Sequence, residues 1–186
     1  MVANKIPVHE RIHLRVGDIT SLWVDAIVNA ANTSLLGGGG LDGAIHTCAG
    51  SELLEECRTL NGCPTGEARI TKGYRLRCDY VIHAVGPVWH GGNSGEAELL
   101  ASCYTHALQL AKSQSLERIA FPCISTGAFR YPKAQAAPIA LKSIREWLDK
   151  HDLPIDVTIC CLNPNDTAFY EAIWESIVWE TPGITD

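Results

Sequence analysis

The sequence predicts an α/β layered domain built around a largely parallel sheet. Short apolar runs, several rich in β-branched residues, alternate along the chain with longer amphipathic segments. Strands separated by helices of that length favour parallel pairing. The chain has 186 residues, enough for one domain with a substantial core. No repeat, low-complexity tract or linker divides it, so we expect a leader over residues 1–9, one domain over 10–180 and a tail over 181–186.

The individual elements follow from local periodicity and composition. The predicted strands are Arg11–Val16, Val24–Ala30, Glu67–Thr71, Tyr80–Val85, Arg118–Ile124 and Val157–Leu162. The predicted helices are Leu41–Ala49, Ser51–Leu60, Glu96–Lys112, Ala137–Lys150 and Thr167–Trp179. Gly50 separates the first two helices. Pro138 is expected in the first turn of the fourth helix, because a proline further inside would break it.

Composition and charge argue against several classes of protein. The net charge is −6 and the basic residues are scattered, so the chain lacks the basic patch used in non-specific nucleic-acid binding. No apolar run is long enough to span a bilayer, and the first residues lack the apolar region of a signal peptide. We therefore expect no membrane or direct nucleic-acid partner, and a cytoplasmic location. Most of the eight cysteines are then interpreted as reduced core residues.

Residues 17–43 form the stretch that is most informative about function. Its notable positions are Asp18, Asn29, Asn32, the glycine run 37–40 and Asp42. Four consecutive glycines add no side chain to a core and lose much backbone freedom on folding. Their expected use is to bring backbone N–H groups around a ligand. The run opens the predicted helix at Leu41, where the helix N-terminus favours anions.

Each of these positions also has an ordinary structural interpretation. Asp18 could cap a turn, Asn32 could be a turn residue, and Asn29 could hold the loop together. Asp42 could complement the helix dipole, and the glycine run could be a flexible connection. Taken one at a time these signals are weak, and their combination favours a site.

A second polar loop, Ser125–Pro132, follows another predicted strand. Its hydroxyls and glycine suit a diphosphate, and Phe129 could stack on a sugar; the alternative is a plain strand-to-helix turn. Ligands of such sheets lie beyond the carboxyl ends of the strands. The two loops are therefore expected to meet at one edge.

Metal and nucleophile patterns are weak. His46 and Cys48 are two residues apart on a predicted helix and so point to different sides. The sequence contains no CxxC, HExxH or GxSxG motif. Cys123 and His83 both fall in strand patterns, which favours a core cysteine and a buried histidine over a catalytic pair. We expect no metal and no cofactor.

Together these motifs resemble the macrodomain family, in particular its MacroD-type branch, from about Arg11 to Trp174. The matching motifs are GDIT (17–20), VDAIVNAAN (24–32), LLGGGGLDGAIH (35–46), GCPTGEARIT (62–71), VIHAVGP (81–87) and ISTGAFRYP (124–132). The resemblance implies a three-layer α/β/α sandwich with a mostly parallel, mixed central sheet. It also implies a cleft for ADP-ribose.

The resemblance assigns expected roles to residues. Asp18 would accept a hydrogen bond from adenine, Asn32 would hold the distal ribose, and Asp42 would lie beside the scissile bond. The amides of the two loops would cradle the diphosphate. The implied catalytic residues are Asn32 and Asp42, and the implied ligand-binding residues are Asp18, Ile19, Asn29, Gly38, Gly39, Gly40, Leu41, Ser125, Thr126, Gly127, Ala128, Phe129, Arg130 and Leu162.

Two positions depart from the family pattern. Arg130 stands where the second loop usually has glycine; its guanidinium would either reach the ligand or lie in solvent, and a positive φ there would strain an arginine. Leu162 stands where many relatives carry an aromatic residue that packs on adenine.

The implied activity is hydrolysis of ADP-ribose esters. The substrates would be mono-ADP-ribosylated Glu or Asp side chains of proteins, and O-acetyl-ADP-ribose. Asp42 would orient or deprotonate a water or a ribose hydroxyl, and loop amides would offset charge on the departing carboxylate. Which group takes the proton first stays open. The main alternative is a non-catalytic reader of ADP-ribose, and a phosphatase acting on ADP-ribose 1″-phosphate is a lesser one.

Overall fold

A computed structural model describes residues 5–179, which form one six-stranded sheet with helices on both faces. The strands are β1 (Ile12–Val16), β2 (Ala26–Ala30), β3 (Ala68–Lys72), β4 (Tyr80–Ala84), β5 (Arg118–Phe121) and β6 (Asp156–Cys161). Their spatial order is β1-β6-β5-β2-β4-β3. All neighbouring strands are parallel except β3 and β4, which are antiparallel. The predicted mixed, mostly parallel sheet is confirmed.

The helices alternate with these strands. They are α1 (Val8–Arg11), α2 (Gly40–Ala49), α3 (Ser51–Thr59), α4 (Glu96–Ser113), α5 (Lys133–Lys150), α6 (Pro164–Glu171) and α7 (Trp174–Val178). A short 3₁₀ turn covers Ile19–Ser21. None of the helices within residues 5–179 is both long enough and apolar enough to cross a membrane.

Two hydrophobic clusters make the three layers. Ala26 and Val28 of β2 face a cluster that contains the buried side of α4 and α5. Ile27 lies between them in sequence and faces the other cluster, which contains the buried side of α2 and α3. This alternation follows from the two-residue period of a strand, and it makes β2 buried on both faces. The predicted α/β/α sandwich is confirmed.

The structure corrects two of the predicted helices. α5 begins at Lys133, so Pro138 lies in its second turn and not in the first. Proline has no N–H, so Pro138 cannot donate the helical hydrogen bond to the carbonyl of Ala134. Ala134 is exposed, and water can donate to that carbonyl instead. The predicted closing helix Thr167–Trp179 is two helices, α6 and α7.

Smaller differences concern the ends of elements and of the domain. The predicted strand over Arg118–Ile124 ends at Phe121, which leaves Cys123 in the following loop. The predicted boundary between leader and domain falls inside α1, and Val8 packs against the core. Residues 1–4 and the predicted tail 181–186 lie outside the described residues.

Arg11 is a buried charge that ties the start of the chain to the α5–β6 connection. Its side chain is 2% exposed. The guanidinium donates to five backbone carbonyls, those of Leu148, His151, Asp152, Pro154 and Ile155, over 2.7–3.1 Å. Burial lowers the pKa of Arg11, and nearby carboxylates oppose that effect. The planar guanidinium suits this set of acceptors because it offers five N–H donors in one plane.

We predict that Arg11→Met lowers the free energy of unfolding by about 3 kcal/mol, because it leaves a group of buried carbonyls without donors. The measurement is denaturant unfolding. Arg15→Met is the matched control, since Arg15 is exposed on the same segment and should change stability by less than about 0.5 kcal/mol. Equal effects of the two changes would contradict the role assigned to Arg11.

Candidate functional site

A cleft of about 420 Å³ opens at the carboxyl edge of the sheet. Two of its walls are the loops that follow β2 and β5, which are neighbouring parallel strands. Residues after β1, β4 and β6 complete it. The expectation that the two polar loops meet at one edge is confirmed.

Most of the predicted site residues line this cleft. Those in the lining are Ile19, Asn32, Gly38, Gly39, Gly40, Leu41, Asp42, Ser125, Thr126, Gly127, Ala128, Phe129 and Leu162. Asp18, Asn29 and Arg130 are not in the lining. The structure shows where these residues lie, and their roles in binding and catalysis remain predictions.

The glycine run ends at the start of α2. Gly39 is the N-cap residue and provides no side-chain cap, and Gly40 has φ of 57°, which favours glycine. The first backbone N–H groups of a helix have no acceptor within it. Here these are the amides of Gly40, Leu41 and Asp42, all at the cleft wall. They and the helix dipole suit an anionic group.

Gly38 lies between the two predicted catalytic side chains. A Cβ atom at this position would lie 3.2 Å from Asp42 Oδ2 and 3.4 Å from Asn32 Nδ2. Asn32 also holds its own loop: its Nδ2 donates to Gly37 O at 3.0 Å, and its Oδ1 accepts from the Ser34 amide and hydroxyl. The turn interpretation of Asn32 is therefore correct, and the residue still lines the cleft.

Asp42 is a buried carboxylate, 6% exposed, with its two oxygens in different surroundings. Oδ1 accepts from Asn29 Nδ2 at 2.8 Å and lies 3.4 Å from His46 Nε2, one helical turn later. Oδ2 lies on the side of Gly38, and both Asp42 and Gly38 line the cleft. The carboxylate is thus anchored through Oδ1, while Oδ2 lies next to a glycine of the cleft wall.

Asn29 continues this anchor into the sheet. It is fully buried on β2, so it acts behind the cleft wall rather than as the direct ligand contact that was expected. Its Nδ2 also lies 3.1 Å from Nδ1 of His83 on β4, and Nε2 of His83 lies 2.9 Å from the Thr71 hydroxyl on β3. Burial and the nearby His46 lower the pKa of His83 to about 3.

The neutral state of His83 fixes the direction of these hydrogen bonds. Because Asn29 Nδ2 is a donor, His83 Nδ1 must accept, and the ring proton lies on Nε2. Nε2 then donates to Thr71 Oγ1, which donates in turn to the carbonyl of Lys72. A continuous buried chain therefore links Asp42 to the edge strand β3.

Backbone hydrogen bonds hold the second loop in place, one within the loop and one from the neighbouring segment at Trp89. The Tyr131 amide donates to Ser125 O at 2.9 Å, and the Trp89 amide donates to Phe129 O at 2.9 Å. Ser125 has φ of 66° and packs so closely on Gly86 that a Cβ at Gly86 would collide with its hydroxyl. The loop therefore presents a defined backbone to the cleft.

Three predicted contacts lie at the margin or outside the cleft. Arg130 is exposed and adopts φ of 58°, so the strained backbone is found, while the guanidinium lies in solvent. Asp18 caps the 3₁₀ turn by accepting from the Thr20 amide and hydroxyl. Leu162 follows β6 and is 74% exposed at the rim.

Sequence reasoning missed several residues of the site. His46 was considered only with Cys48, although its i+4 spacing from Asp42 could have paired the two. Lys133 was also missed, and Cys123 was interpreted as a core residue; both line the cleft, and Lys133 Nζ lies 2.5 Å from Asp166 Oδ1. Within residues 5–179 there is no cluster of three or more His, Cys, Asp or Glu that could hold a metal.

We predict that His83 makes stability depend on pH. In the unfolded state His83 has an ordinary pKa near 6.5 and becomes protonated below that pH. In the folded state its pKa is about 3, so it stays neutral until the pH falls that far. Stability is then lost as pH falls below 6.5, by up to about 1.4 kcal/mol per pH unit from this residue. The free energy of unfolding of His83→Asn, measured between pH 4 and 7, should lack this contribution to the pH dependence.

The control for this measurement is His90→Asn, the same substitution at an exposed histidine, which should retain the contribution of His83 to the pH dependence. Parallel pH profiles of the parent protein and His83→Asn would contradict a neutral buried imidazole.

We also predict that Arg130→Gly stabilises the protein by about 1 kcal/mol, because glycine adopts the positive φ without strain. Arg130→Ala removes the same guanidinium but keeps a Cβ, so it should not stabilise. Thermal unfolding of both variants distinguishes backbone strain from a side-chain effect. Stabilisation by alanine as large as that by glycine would contradict this explanation.

Comparisons with known proteins agree with the fold and the cleft. The family model of the macro domain matches residues 28–140. A macro domain-containing protein of Chlorobaculum tepidum is 60% identical over 166 residues, covering 89% of this chain and 96% of that protein. The ADP-ribose glycohydrolase MACROD1 of Mus musculus is 56% identical, covering 83% of this chain and 48% of that protein.

A solved structure agrees as well. The Trypanosoma brucei macrodomain in complex with ADP-ribose superposes with a TM-score of 0.83 at 45% identity, covering 88% of this chain and 69% of that one. The family model spans more than half of the chain, and the C. tepidum relative matches nearly all of its own length. This chain therefore belongs to the macro domain family.

Proposed function

We propose that this protein is a hydrolase of ADP-ribose esters. Its substrates would be proteins mono-ADP-ribosylated on Glu or Asp, and O-acetyl-ADP-ribose. The observation that carries the proposal is the position of Asp42, a buried carboxylate anchored through Oδ1, with Oδ2 beside a cleft that two glycine-containing loops surround.

Binding of the diphosphate is supported by the backbone of the two loops. The N-terminal amides of α2 and the Ser125–Phe129 loop stand on two sides of the same cleft. Backbone N–H groups at a helix N-terminus suit phosphate, so the protein can bind an anion in spite of its net charge of −6.

The adenosine end would lie toward the β1 and β6 side of the cleft. Ile19 and Leu162 offer apolar contacts there, and Asp18 stands just beyond the lining. Asp18 Oδ1 is occupied by Thr20, so an adenine amino group would use the second oxygen. Leu162 would give contact without the stacking of an aromatic ring.

Asp42 would act on the water. The water oxygen attacks the acyl carbon while its proton passes to Asp42 Oδ2, and the bond between the acyl carbon and the ribose oxygen breaks. Asp42 returns the proton to the ribose oxygen, which becomes a hydroxyl, and the acyl product is a carboxylic acid that loses its own proton to solvent as a carboxylate. The Asn29 hydrogen bond would keep the carboxylate oriented for this step. Asn32 would position the distal ribose next to it.

The relatives support a hydrolase over a binding module. MACROD1 of Mus musculus and MACROD2 of Mus musculus, both 56% identical to this chain, are named ADP-ribose glycohydrolases. This chain spans about half and about one third of those proteins, respectively. The similarity therefore concerns the macro domain, which is the part that carries the cleft.

We predict that Asp42→Asn lowers the turnover of an ester substrate by at least about 100-fold, because it removes the proton acceptor. The variant keeps an oxygen that can accept from Asn29, so the fold and the affinity for ADP-ribose should be retained. The measurement is release of ADP-ribose from a protein mono-ADP-ribosylated on glutamate, with deacetylation of O-acetyl-ADP-ribose in parallel and calorimetry for binding.

Glu52→Gln is the matched control, since Glu52 is an exposed carboxylate in the first turn of the next helix. It should hydrolyse at the parental rate. Turnover by Asp42→Asn at the parental rate would contradict the proposed chemistry. Binding of ADP-ribose without release from either ester by the parent protein would favour the non-catalytic reader.

A further inference from the structure

Two cysteines meet where the wall of the cleft joins the core. Cys123 lies in the loop between β5 and α5 and lines the cavity, and Cys161 is the last residue of β6. Their Sγ atoms are 3.5 Å apart. Cys123 is only partly buried, whereas Cys161 is completely buried. The pair thus combines one thiol that a small molecule in the cleft can reach with a second thiol directly behind it.

The surroundings favour ionisation of Cys123 over Cys161. The hydrogen bond from Cys161 lowers the pKa of Cys123; burial opposes this, and a hydrogen bond from the Tyr170 hydroxyl lowers it further. Lys133 also favours the Cys123 thiolate, and Asp166 disfavours it. The same hydrogen bond and burial raise the pKa of Cys161. Cys123 is therefore the nucleophilic member, since the thiolate is the reactive form.

The other cysteines of the described chain lack this combination. Cys160 also lines the cleft, but burial raises its pKa to about 11 and its thiol donates to Gly17 O. Burial likewise raises the pKa of Cys103 to about 12 in the core. Cys48 is exposed on α2, and its thiol lies 3.9 Å from the hydroxyl of Thr20.

We propose that Cys123 and Cys161 form a peroxide-sensitive dithiol site, at which a reversible disulfide closes and weakens ligand binding in the cleft. The Cys123 thiolate, formed by loss of its proton, attacks one oxygen of hydrogen peroxide, the O–O bond breaks, and a sulfenic acid forms; the departing hydroxide takes up a proton and leaves as water. The Cys161 sulfur then attacks the sulfenic sulfur as its proton passes to the hydroxyl group, so that the S–S bond forms, the S–O bond breaks and a second water leaves. Peroxide is reduced and the two thiols are oxidised.

The disulfide would alter the binding loop. Bond formation brings the two sulfurs from 3.5 Å to about 2.05 Å. Cys123 is two residues from Ser125, whose positive φ and contact with Gly86 leave the loop little freedom to adjust. The shift would therefore be transmitted to the Ser125–Phe129 backbone. This consequence rests on the proposed binding of ADP-ribose, whereas formation of the disulfide does not.

The test compares the reduced protein with the protein treated with hydrogen peroxide. Peptide mapping by mass spectrometry should find a Cys123–Cys161 link, lighter by two hydrogens and removed by a thiol reductant. Calorimetry should show an affinity for ADP-ribose about tenfold weaker in the oxidised form and restored on reduction. Bound ADP-ribose should slow the oxidation, because it covers Cys123.

Variants separate the steps. Cys161→Ser should stop at the sulfenic acid on Cys123, which dimedone traps, and should form no link to position 161. Cys48→Ser is the control for general thiol oxidation and should behave as the parent. Peroxide treatment that yields no Cys123–Cys161 disulfide would overturn the proposal, and so would a disulfide that leaves the affinity unchanged. Failure of the reduced protein to bind ADP-ribose would instead count against the proposed function.

Discussion

The parallel pairing of β2 with β4 on one side and β5 on the other is the constraint on which the site depends. It brings the carboxyl ends of three neighbouring strands to one edge, so the loops that leave them share a cleft. The polar residue Asn29 specifies the register of β2, because a one-residue slip would turn it away from Asp42 and into the apolar cluster under α4 and α5. The same register places Asn29 beside His83, and the anchor of Asp42 is a consequence of strand pairing.

The two walls of the cleft are built in different ways. The α2 wall is a helix N-terminus whose carboxylate is fixed by a buried chain through Asn29, His83 and Thr71. This chain is not fully satisfied, because Asn29 Oδ1 and the neighbouring His46 Nε2 are buried without a hydrogen-bond partner. An unpaired buried polar group costs about 1–3 kcal/mol, so the arrangement fixes the carboxylate at some cost in stability. The opposite wall is held mainly by backbone hydrogen bonds and by the contact between Ser125 and Gly86. This wall also includes Cys123, the thiol proposed to react with peroxide.

Strand and helix periodicity predicted the largely parallel sheet and the two loops that meet at one edge, and the resemblance to the macrodomain family supplied most of the residues that line the cleft. What the sequence could not predict depends on contacts between distant segments. His83 and Cys123 both occur in apolar stretches, so only their spatial neighbours distinguish a link to Asp42 from a thiol at the cavity. Pro138 was placed wrongly because the first turn of α5 is polar and exposed, and apolar periodicity begins only after it. Arg11 could not be recognised as buried, since its carbonyl acceptors lie more than 130 residues away.

The central claim is that the amides of the two loops hold the diphosphate of ADP-ribose in this cleft. Backbone amide resonances followed during titration with ADP-ribose test it most directly. The largest shifts should occur at Gly39–Asp42 and Ser125–Phe129, with smaller ones at Ile19 and Leu162. This binding mode would be contradicted if these amides stayed unchanged while residues at the opposite edge of the sheet, such as those around Trp23 and Arg118, responded instead.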